Sequence, residues 1–449
     1  MAQLQEFPLT PLDSRATSLN ADSEGGVLNS STGPSAGTRV VEALDSYPDG
    51  GFDAWLQVFC CSMIFMVCVG GVYSWGVMQD ALAGVAATST IAYIGSCQAA
   101  MTGFLAIPVN RALRTWGPRP VAIFGSLCCS LGPFIGSWCT HSLPALFLTE
   151  GLLFGVGQSS LFFAAGTLPS SYFLRKRNLA TGAVYAGGGI GGAVFSLGSG
   201  ALLSKLGVPL TLRILGCMFF AMTMPSALML KGRAPKQPFR GGTVIDISMF
   251  KDKSFLLILV GTAIGMFPLF VAPFFLPLYS TSLGLSSFTG SLLLAGYNLA
   301  SAVGRLGFGL GADRLLGPVG SLIVCLTFVG LTTLVIWPVA TSLAPLAIFT
   351  IVNGICAGGF FSLLPGVVSS LFGSSKLSVT LGMLATTWAP GYFLGSPIAG
   401  FILGAAGGAD SGIEAFRPAI FYAGAVSLFA AGIIIAARLI VTKDLRKKI

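Results

Sequence analysis

The sequence contains very little charge. Charged residues make up 9% of its 449 residues, whereas a typical soluble domain carries about 25%. Hydrophobic residues make up 54%, and the polar surface available in water could not cover so many apolar side chains. These proportions exclude a soluble enzyme, a nucleic-acid-binding protein and a disordered chain, and they indicate a polytopic membrane protein.

Residues that bind metals or catalyse reactions are also scarce. The one histidine, His141, falls in a predicted loop, and the ten cysteines fall inside apolar runs with neither metal-ligand spacing nor a disulfide framework. An intramembrane enzyme would need clustered His, Asp or Ser side chains at membrane depth. We therefore expect no enzyme, no metal ion and no cofactor.

What the sequence does contain is a series of long apolar runs. Each run is long enough to cross a hydrocarbon core of about 30 Å, which takes about 20 helical residues. The runs predict an all-α membrane protein with 12 transmembrane helices in two pseudo-symmetric six-helix bundles. The predicted spans are 54–78, 90–110, 118–139, 144–168, 179–203, 209–230, 255–281, 287–312, 318–340, 343–368, 377–404 and 418–439.

The basic residues give the predicted spans an orientation. When both termini are placed on the cytoplasmic side, 21 of the Lys and Arg residues fall inside and 3 fall outside, as the positive-inside rule requires. The net charge of +9 then reflects topology and does not indicate nucleic-acid binding. We expect a multi-pass monomer in the cell membrane, with the lipid bilayer and a small organic molecule as its partners.

The longest predicted inner gap divides the chain into two halves of six spans. A short signature recurs in them, because Asn110-Arg111 follows span two and Asp313-Arg314 follows span eight, 203 residues later. Two similar halves predict a pseudo-symmetric transporter whose site lies near the bilayer midplane. The predicted domains are a disordered cytoplasmic tail (1–47), an N-terminal bundle (48–230), a cytoplasmic linker (231–254), a C-terminal bundle (255–440) and a basic tail (441–449).

The second copy of this signature resembles a known family. Residues 309–314 read Gly-Leu-Gly-Ala-Asp-Arg and are similar to the loop signature of the major facilitator superfamily. In that family the loop makes charge contacts that hold one conformation of the carrier. The resemblance implies a conformational switch at Asp313 and Arg314 and a degraded copy at Asn110 and Arg111, because Asn110 stands where the family usually has Asp.

Two further stretches resemble the signatures of the monocarboxylate porter family, in particular its fungal branch. Residues 49–55 read Asp-Gly-Gly-Phe-Asp-Ala-Trp, and residues 172–182 read Tyr-Phe-Leu-Arg-Lys-Arg-Asn-Leu-Ala-Thr-Gly. The resemblance covers about residues 48–440. A basic triplet at the cytoplasmic start of a helix also suits anionic headgroups. The residues that carry the two signatures are Asp49, Gly50, Gly51, Arg175, Lys176, Arg177 and Gly182.

Arg305 is an ionisable residue inside a predicted span, and such residues are costly in lipid and are functional candidates by default. At about 100° per residue, Asn298, Ser301 and Arg305 share one face of span eight. The resemblance implies that this face lines the cavity and that Arg305 binds a substrate carboxylate, which a guanidinium can hold through two hydrogen bonds. The alternative is a hydrogen bond to backbone carbonyls, or snorkelling to the inner surface.

The pattern departs from the family at two positions. Animal members carry an Asp one turn before the Arg, where this chain has Ser301, and a Lys in span one, where it has Tyr73-Ser74. Lactate-type symport is therefore not implied. Other candidates for substrate binding are Tyr73, Trp388 in the middle of span eleven, and Asn353. The alternative for Trp388 is packing in the core, and the alternative for Asn353, as for Gln158, Tyr297 and Asn298, is joining helices.

Glu150 is the only carboxylate well inside a predicted span. A carboxyl group at that depth is a candidate proton carrier. Arg213 lies at a similar depth in span six, so a fixed Glu150–Arg213 ion pair is the alternative.

The leading hypothesis is a secondary active transporter that works by alternating access. Its substrate would be a small organic anion, either a monocarboxylate or an acidic secondary metabolite, and proton coupling stays open. An exporter of a neutral or bulkier secondary metabolite is the main alternative. A non-transporting sensor built on a carrier fold is a remote one.

Overall fold

The computed structural model of the chain describes residues 50–83, 87–173, 177–232, 247–373 and 377–442, without the side chains of residues 170, 177–179, 247, 313, 377 and 378. The predicted tail 1–47, Asp49, Arg175, Lys176, linker residues 233–246 and residues 443–449 lie outside this description. The described residues form helices, and no strand occurs among them. The α-helices are α1 (Phe52–Tyr73), α2 (Trp75–Ala81), α3 (Thr88–Phe104), α4 (Ala106–Trp116), α5 (Pro118–Gly136), α6 (Leu143–Leu146), α7 (Phe154–Gly166), α8 (Arg177–Met229), α9 (Lys253–Leu269), α10 (Val271–Ser282), α11 (Ser287–Gly311), α12 (Gly317–Val335), α13 (Leu343–Phe372), α14 (Leu377–Thr387), α15 (Ala389–Ala405) and α16 (Arg417–Val441). Two π-helical segments, Phe147–Leu153 and Ala312–Leu316, and short 3-10 turns connect them.

The helices are those of a multi-pass membrane protein. Eight helical stretches in the described residues are long and apolar enough to cross a membrane, and the bent pair α3 and α4 makes a ninth. Two of the eight, Ala180–Met229 and Ser287–Val339, have 50 and 53 residues, so each would be more than twice as long as a hydrocarbon core of about 30 Å is thick. Both turn sharply at a glycine with positive φ, Gly207 (71°) or Gly317 (73°). The count of twelve spans stays a prediction.

Three spans that the sequence predicts as continuous helices are broken. In each, a proline follows the break by two or three residues, and a proline cannot donate the backbone hydrogen bond that would continue the helix. The strongest bend, 53°, separates α3 from α4. A fourth break, at Ser74 between α1 and α2, has no proline behind it. The breaks with their prolines are Leu105 with Pro108, Phe270 with Pro273, and Trp388 with Pro390.

Long helices hold the two halves together. We call residues 50–232 the N-half and residues 247–442 the C-half. Within the N-half, α8 packs on α1 and α5, and within the C-half α11 packs on α13. Between the halves, α8 packs on α11, α3 on α15, and α2 on α10. Small residues at the contacts allow this close approach. Helices in a membrane depend on such close packing, because lipid offers no hydrophobic drive for them to associate.

One close contact occurs in both halves. A Cβ on Gly191 of α8 would collide with the carbonyl oxygen of Met66 in α1, and a Cβ on Gly395 of α15 would collide with that of Phe267 in α9. The two glycines are 204 residues apart and the two carbonyl groups 201. The same backbone-to-glycine packing at nearly the same offset is what two similar halves predict.

Gly304 in α11 is a test of this packing. A Cβ at this position would meet the backbone oxygen of Ile355 in α13, whereas a Cβ on Gly307, one turn away, would meet nothing within 4 Å. We expect Gly304→Ala to cost about 1–3 kcal/mol, the usual penalty of overpacking, and Gly307→Ala to leave stability unchanged or raise it. Thermal midpoints of the two purified variants check this; equal midpoints would contradict the packing.

Candidate substrate cavity

A narrow cavity lies between the two halves near the middle of the helices. Its volume is about 30 Å³, which is enough for one or two water molecules. A metabolite can therefore enter only if the halves move apart. The lining side chains are Phe65, Val69, Val72, Tyr73, Ala99, Thr102, Gln158, Phe162, Tyr185, Phe270, Arg305, Phe361 and Tyr392.

Arg305 provides the one charge in this lining. The side chain is 3% exposed. Its Nη1 donates a hydrogen bond to the Tyr185 carbonyl oxygen, its Nη2 donates to the Tyr73 hydroxyl at 3.0 Å, and the guanidinium lies 5.4 Å from the centre of the Tyr73 ring. Its Nε donates to no described residue. The guanidinium thus reaches from the C-half to two partners in the N-half and keeps a donor free.

No carboxylate neutralises this guanidinium within the described part of the chain. The cavity lining contains neither Asp nor Glu, and the ion pair found among the described residues joins Arg417 to Glu414 at the surface. A buried charge without a counter-ion is costly, and hydrogen bonds and a ring face offset that cost only in part. An anion bound beside Arg305 would remove the imbalance.

The helix breaks bring lining residues to the cavity. Tyr73 is the last residue of α1 before the break at Ser74, Phe270 is itself the break between α9 and α10, and Tyr392 follows the break at Trp388 by one turn. Broken helices at mid-membrane are a common way to build transporter sites. Here the breaks turn side chains toward the space between the halves.

The lining also follows the internal repeat. Val69 and Phe270 are 201 residues apart, and Thr102 and Arg305, like Gln158 and Phe361, are 203 apart; all six line the cavity. The two halves thus offer matching positions with different chemistry. In the N-half these positions hold a valine, a hydroxyl and an amide group, whereas in the C-half they hold the guanidinium and two phenylalanine rings.

Asn298 and Ser301 do not reach the cavity, although they share a helix face with Arg305. Asn298 Nδ2 lies 3.4 Å from Ser196 Oγ and 3.5 Å from the Tyr73 carbonyl oxygen, and its side chain packs on Gly192. The backbone oxygen of Ser301 packs against Gly358. The face therefore serves mainly to join helices, and of these three residues only Arg305 lines the cavity.

Trp388 and Asn353 also lie outside the lining. Trp388 Nε1 donates to Thr262 Oγ1 at 3.3 Å, and its ring meets Phe361 edge-on with the ring centres 6.2 Å apart. Asn353 Nδ2 donates to Thr332 Oγ1 at 2.8 Å and to Thr333 Oγ1 at 3.0 Å. Trp388 thus stands behind the wall of the cavity, and Asn353 joins α13 to α12.

Several lining residues were not among the sequence-based candidates. Tyr185, Tyr392 and the phenylalanines carry no charge, so hydropathy marks them as ordinary core residues. Two signals in the sequence point to them: Tyr185 lies 203 residues before Trp388, and Tyr392 lies two residues after Pro390. Gln158 is the one amide group that the sequence places at membrane depth and the structure places in the lining.

Glu150 lies inside the N-half, away from the cavity. It belongs to the π-helical segment Phe147–Leu153 and is 4% exposed; such segments often occur at functional sites. Gln98 Nε2 donates to its Oε2 at 3.4 Å, and its Oε1 has no described partner. Gln98 is one turn from Thr102, which lines the cavity, so the residue that binds Glu150 lies on the same helix as a lining residue.

The ion pair considered between Glu150 and Arg213 is not formed. Arg213 Nε donates to Ser137 Oγ at 3.0 Å, and the guanidinium stacks 4.4 Å from the centre of the Trp138 ring. Arg213 therefore has neutral partners at its end of the bundle, and Glu150 faces Gln98 instead of a cation.

The predicted switch residues lie within helical segments of both halves. Asn110 and Arg111 lie in the middle of α4, where Asn110 Nδ2 donates to the Ala106 carbonyl oxygen at 2.8 Å. Arg111 and Arg314 are exposed, and the backbone of Asp313 lies in the π-helical segment Ala312–Leu316. Their role as a switch stays a prediction.

The two signature stretches meet at the end of the N-half that the sequence predicts to face the cytoplasm, which we call the inner end. The rings of Trp55 and Phe173 have centres 5.1 Å apart. The Tyr172 hydroxyl donates to the Lys231 carbonyl oxygen at 2.7 Å, and Gln57 Oε1 accepts from the Lys231 backbone N–H at 2.9 Å. The stretches thus anchor the start of the predicted linker and do not face the cavity.

The signature glycines have different surroundings. Gly51 has φ 86° just before α1. A Cβ on Gly50 would meet nothing within 4 Å, and a Cβ on Gly182 would lie 3.5 Å from Leu306. The helix α8 begins at Arg177.

The opposite end of the bundle is closed by direct contact between the halves. We call the end that carries Asp80 and Thr281 the outer end, following the predicted orientation. Thr281 Oγ1 donates to Asp80 Oδ1 at 3.0 Å across the halves. Beside this bond, a Cβ on Gly76 would collide with the carbonyl oxygen of Pro273. The two halves are thus in direct contact at the outer end.

Metal chemistry has no visible centre in the described part of the chain. No group of three or more His, Cys, Asp or Glu side chains is placed there to hold a metal ion.

Comparison with known proteins gives the chain its relatives. It matches the family model described as Major Facilitator Superfamily over residues 55–339 and again over residues 258–448. The MFS transporter asaE of Aspergillus flavus is 28% identical over 87% of this chain and 89% of its own length. The Aspyridones efflux protein apdF of Emericella nidulans is 28% identical over 87% of this chain and 80% of its own length.

A solved structure shares the fold. The crystal structure of the nucleoside transporter NupG matches with a TM-score of 0.66 and 14% identity, over 86% of this chain and 99% of that one. At such identity the likeness shows the fold alone. The family model and the relatives confirm the superfamily that the sequence predicted, and they confirm a multi-pass membrane transporter and not an enzyme.

Proposed function

The chain belongs to the Major Facilitator Superfamily, and from that premise we propose that it is a secondary active carrier that exports an acidic secondary metabolite by alternating access. We place it in the cell membrane as a monomer with both termini in the cytoplasm, on the distribution of its basic residues. We also propose the monocarboxylate porter-like family, fungal branch, on the stretches 49–55 and 172–182.

The observation that carries the proposed substrate charge is the environment of Arg305. The guanidinium is buried between the halves, lacks a carboxylate partner among the described residues and keeps its Nε donor free. A carboxylate or enolate can accept hydrogen bonds from such a group, and an arginine holds such anions in a fixed orientation. Its position supports a contact that forms with substrate and breaks on release.

Export is favoured over uptake by the relatives. One is named as an efflux protein for aspyridones, and another, from Gibberella fujikuroi, as an efflux protein for fujikurins. The latter is 26% identical over 88% of this chain and 84% of its own length.

The proposal is tested by counterflow of a labelled organic acid in proteoliposomes. Flux must depend on the Arg305 guanidinium and be inhibited by other organic anions. Flux of the acid that persists unchanged without the guanidinium contradicts it.

A second candidate function is export of a neutral or bulkier metabolite. It is favoured by the apolar character of the lining, in which Arg305 is the one charged group. Inhibition by a neutral amide as strong as by the matching acid would support this candidate over the first.

We propose Glu150 as the proton-coupling residue. It is buried, it is not neutralised by Arg213, and its partner Gln98 lies one turn from Thr102 in the cavity lining. A buried carboxyl group in a carrier can take up and release a proton as the cavity opens to each side.

Glu150→Gln preserves the shape of this side chain but cannot bind or release a proton. We expect an imposed pH gradient to stop accelerating net flux, while counterflow, which needs no net proton movement, continues. Glu414→Gln, which alters a surface carboxylate, is the matched control. A pH-gradient response that Glu150→Gln leaves intact would remove Glu150 from the coupling scheme.

A further inference from the structure

Aromatic rings dominate the wall of the central cavity. Seven of the thirteen lining residues are Phe or Tyr, although aromatic residues make up 11% of the chain. Six of them form two groups of neighbouring rings. The first ring group is Phe65, Phe162 and Tyr185, and the second is Tyr73, Phe270 and Tyr392.

The rings within each group are close enough to act as a continuous surface. In the first group the ring centre of Phe65 lies 5.2 Å from that of Phe162 and 4.8 Å from that of Tyr185. In the second group that of Phe270 lies 5.6 Å from that of Tyr73 and 5.5 Å from that of Tyr392. Such distances fall in the range of favourable aromatic pairs.

Arg305 lies between the two ring groups and touches one member of each. It donates to the carbonyl oxygen of Tyr185 from the first group and to the hydroxyl of Tyr73 from the second. Its unused Nε donor thus belongs to a guanidinium that contacts residues of both ring groups, Tyr185 through its backbone and Tyr73 through its hydroxyl and ring. If a ligand's anionic group were held at Nε, the rest of the ligand would lie among these rings.

Packing alone does not account for this arrangement. Two polar side chains in the same wall, Thr102 and Gln158, are each 5% exposed, and each has a buried oxygen that accepts no hydrogen bond from a described residue. A wall that served only to fill space would not hold unsatisfied polar groups beside a charge, because each of them costs free energy. Donors on a ligand would satisfy them.

We infer that the substrate is an organic anion with a flat, unsaturated body, its anionic group on Arg305 and its body between the two ring groups. This inference rests on the proposed function and narrows it. Ring faces favour other π systems over saturated groups of equal area, and a small hydroxy acid such as lactate has no body to fill the space. The shut cavity of about 30 Å³ widens when the halves part.

The test is equilibrium binding of four labelled probes to the purified full-length protein. Cinnamate has the charge and the flat body, 3-cyclohexylpropanoate has the charge and a saturated body, lactate has the charge alone, and cinnamamide has the flat body alone. We expect cinnamate to bind at least about tenfold more tightly than lactate or cinnamamide, and at least about threefold more tightly than 3-cyclohexylpropanoate.

A ring variant locates the contact. Phe162→Leu removes one ring but keeps an apolar side chain, and we expect it to weaken cinnamate binding by about three- to tenfold and leave 3-cyclohexylpropanoate unchanged. Phe429→Leu, at a position 64% exposed on α16, is the matched control and should change neither. A similar weakening of cinnamate binding in Phe162→Leu and in Phe429→Leu would overturn the inference.

The outcomes separate this inference from the proposed function. If cinnamate and 3-cyclohexylpropanoate bind equally and both need Arg305, the flat body is wrong and the anion site stands. If cinnamamide binds as tightly as cinnamate, or cinnamate binding survives Arg305→Ala, the proposed function itself is wrong. Absence of cinnamate binding overturns the inference.

Discussion

Replacing Arg305 by Ala should abolish most transport of the organic anion. Removing one partner of a buried, hydrogen-bonded charge pair costs about 2–5 kcal/mol, which corresponds to at least about thirtyfold in substrate affinity. Arg305→Lys should fall between, because an ammonium keeps the charge but not the planar fork that holds a carboxylate. Concentration dependence of counterflow in proteoliposomes measures both effects.

Arg213→Ala is the matched control for this prediction. Arg213 is also an arginine within the bundle, but it binds Ser137 and Trp138 far from the lining. We expect its removal to leave substrate affinity unchanged. Arg305→Ala should still elute as folded protein, because removing a buried charge offsets the loss of the hydrogen bonds to Tyr73 and Tyr185. Wild-type affinity and rate in Arg305→Ala would exclude Arg305 from the site.

The sequence predicts the class of this protein because the bilayer allows few solutions. A chain with 9% charged residues and long apolar runs must satisfy its backbone groups within helices. The cost of a charge in lipid also identifies Arg305 from the sequence, because a lone guanidinium inside an apolar run has few explanations other than function. Both inferences use only composition and position along the chain.

The lining was harder to predict, because it depends on how helices cross. Asn298 and Arg305 share a face of α11, but α8 covers that face unevenly. A Cβ on Gly192 would lie 2.7 Å from Asn298 Cγ, whereas a Cβ on Gly182, nearer the inner end, would lie 3.5 Å from Leu306. Gly188 of α8 leaves room for the Arg305 side chain, because a Cβ there would lie 3.2 Å from its Nη1, and Arg305 lines the cavity while Asn298 is covered. A helical wheel shows which residues share a face of a helix, but it does not show which neighbouring helix covers that face.

The broken helices set a second limit. Tyr392 and Phe270 reach the cavity because the chain changes direction at Trp388 and at Phe270 itself. Prolines two or three residues later mark these points in the sequence. However, Pro133 and Pro365 lie inside unbroken helices, so a proline alone does not fix a break.

Linking Asp80 to Thr281 should stop transport completely. Their side chains join the two halves at the outer end through a 3.0 Å hydrogen bond, and alternating access requires this contact to open in each cycle. With both residues changed to Cys, a short bifunctional methanethiosulfonate reagent would bridge the thiols across the halves. We expect flux to fall to background after bridging and to recover when a reducing agent cleaves the bridge.

The control for this experiment is a link of the same length within one half. Ser286 and Thr289 are also hydrogen-bonded, with their oxygens 2.8 Å apart, but both lie in the C-half at the start of α11. Bridging Ser286→Cys to Thr289→Cys should leave flux intact, as should the reagent on each single variant, because these do not tie the halves together. Undiminished flux in the bridged Asp80→Cys, Thr281→Cys carrier would mean that the outer end need not open. Alternating access would then be wrong for this protein. The Arg305 site could not be exposed to each side in turn by movement of the two halves.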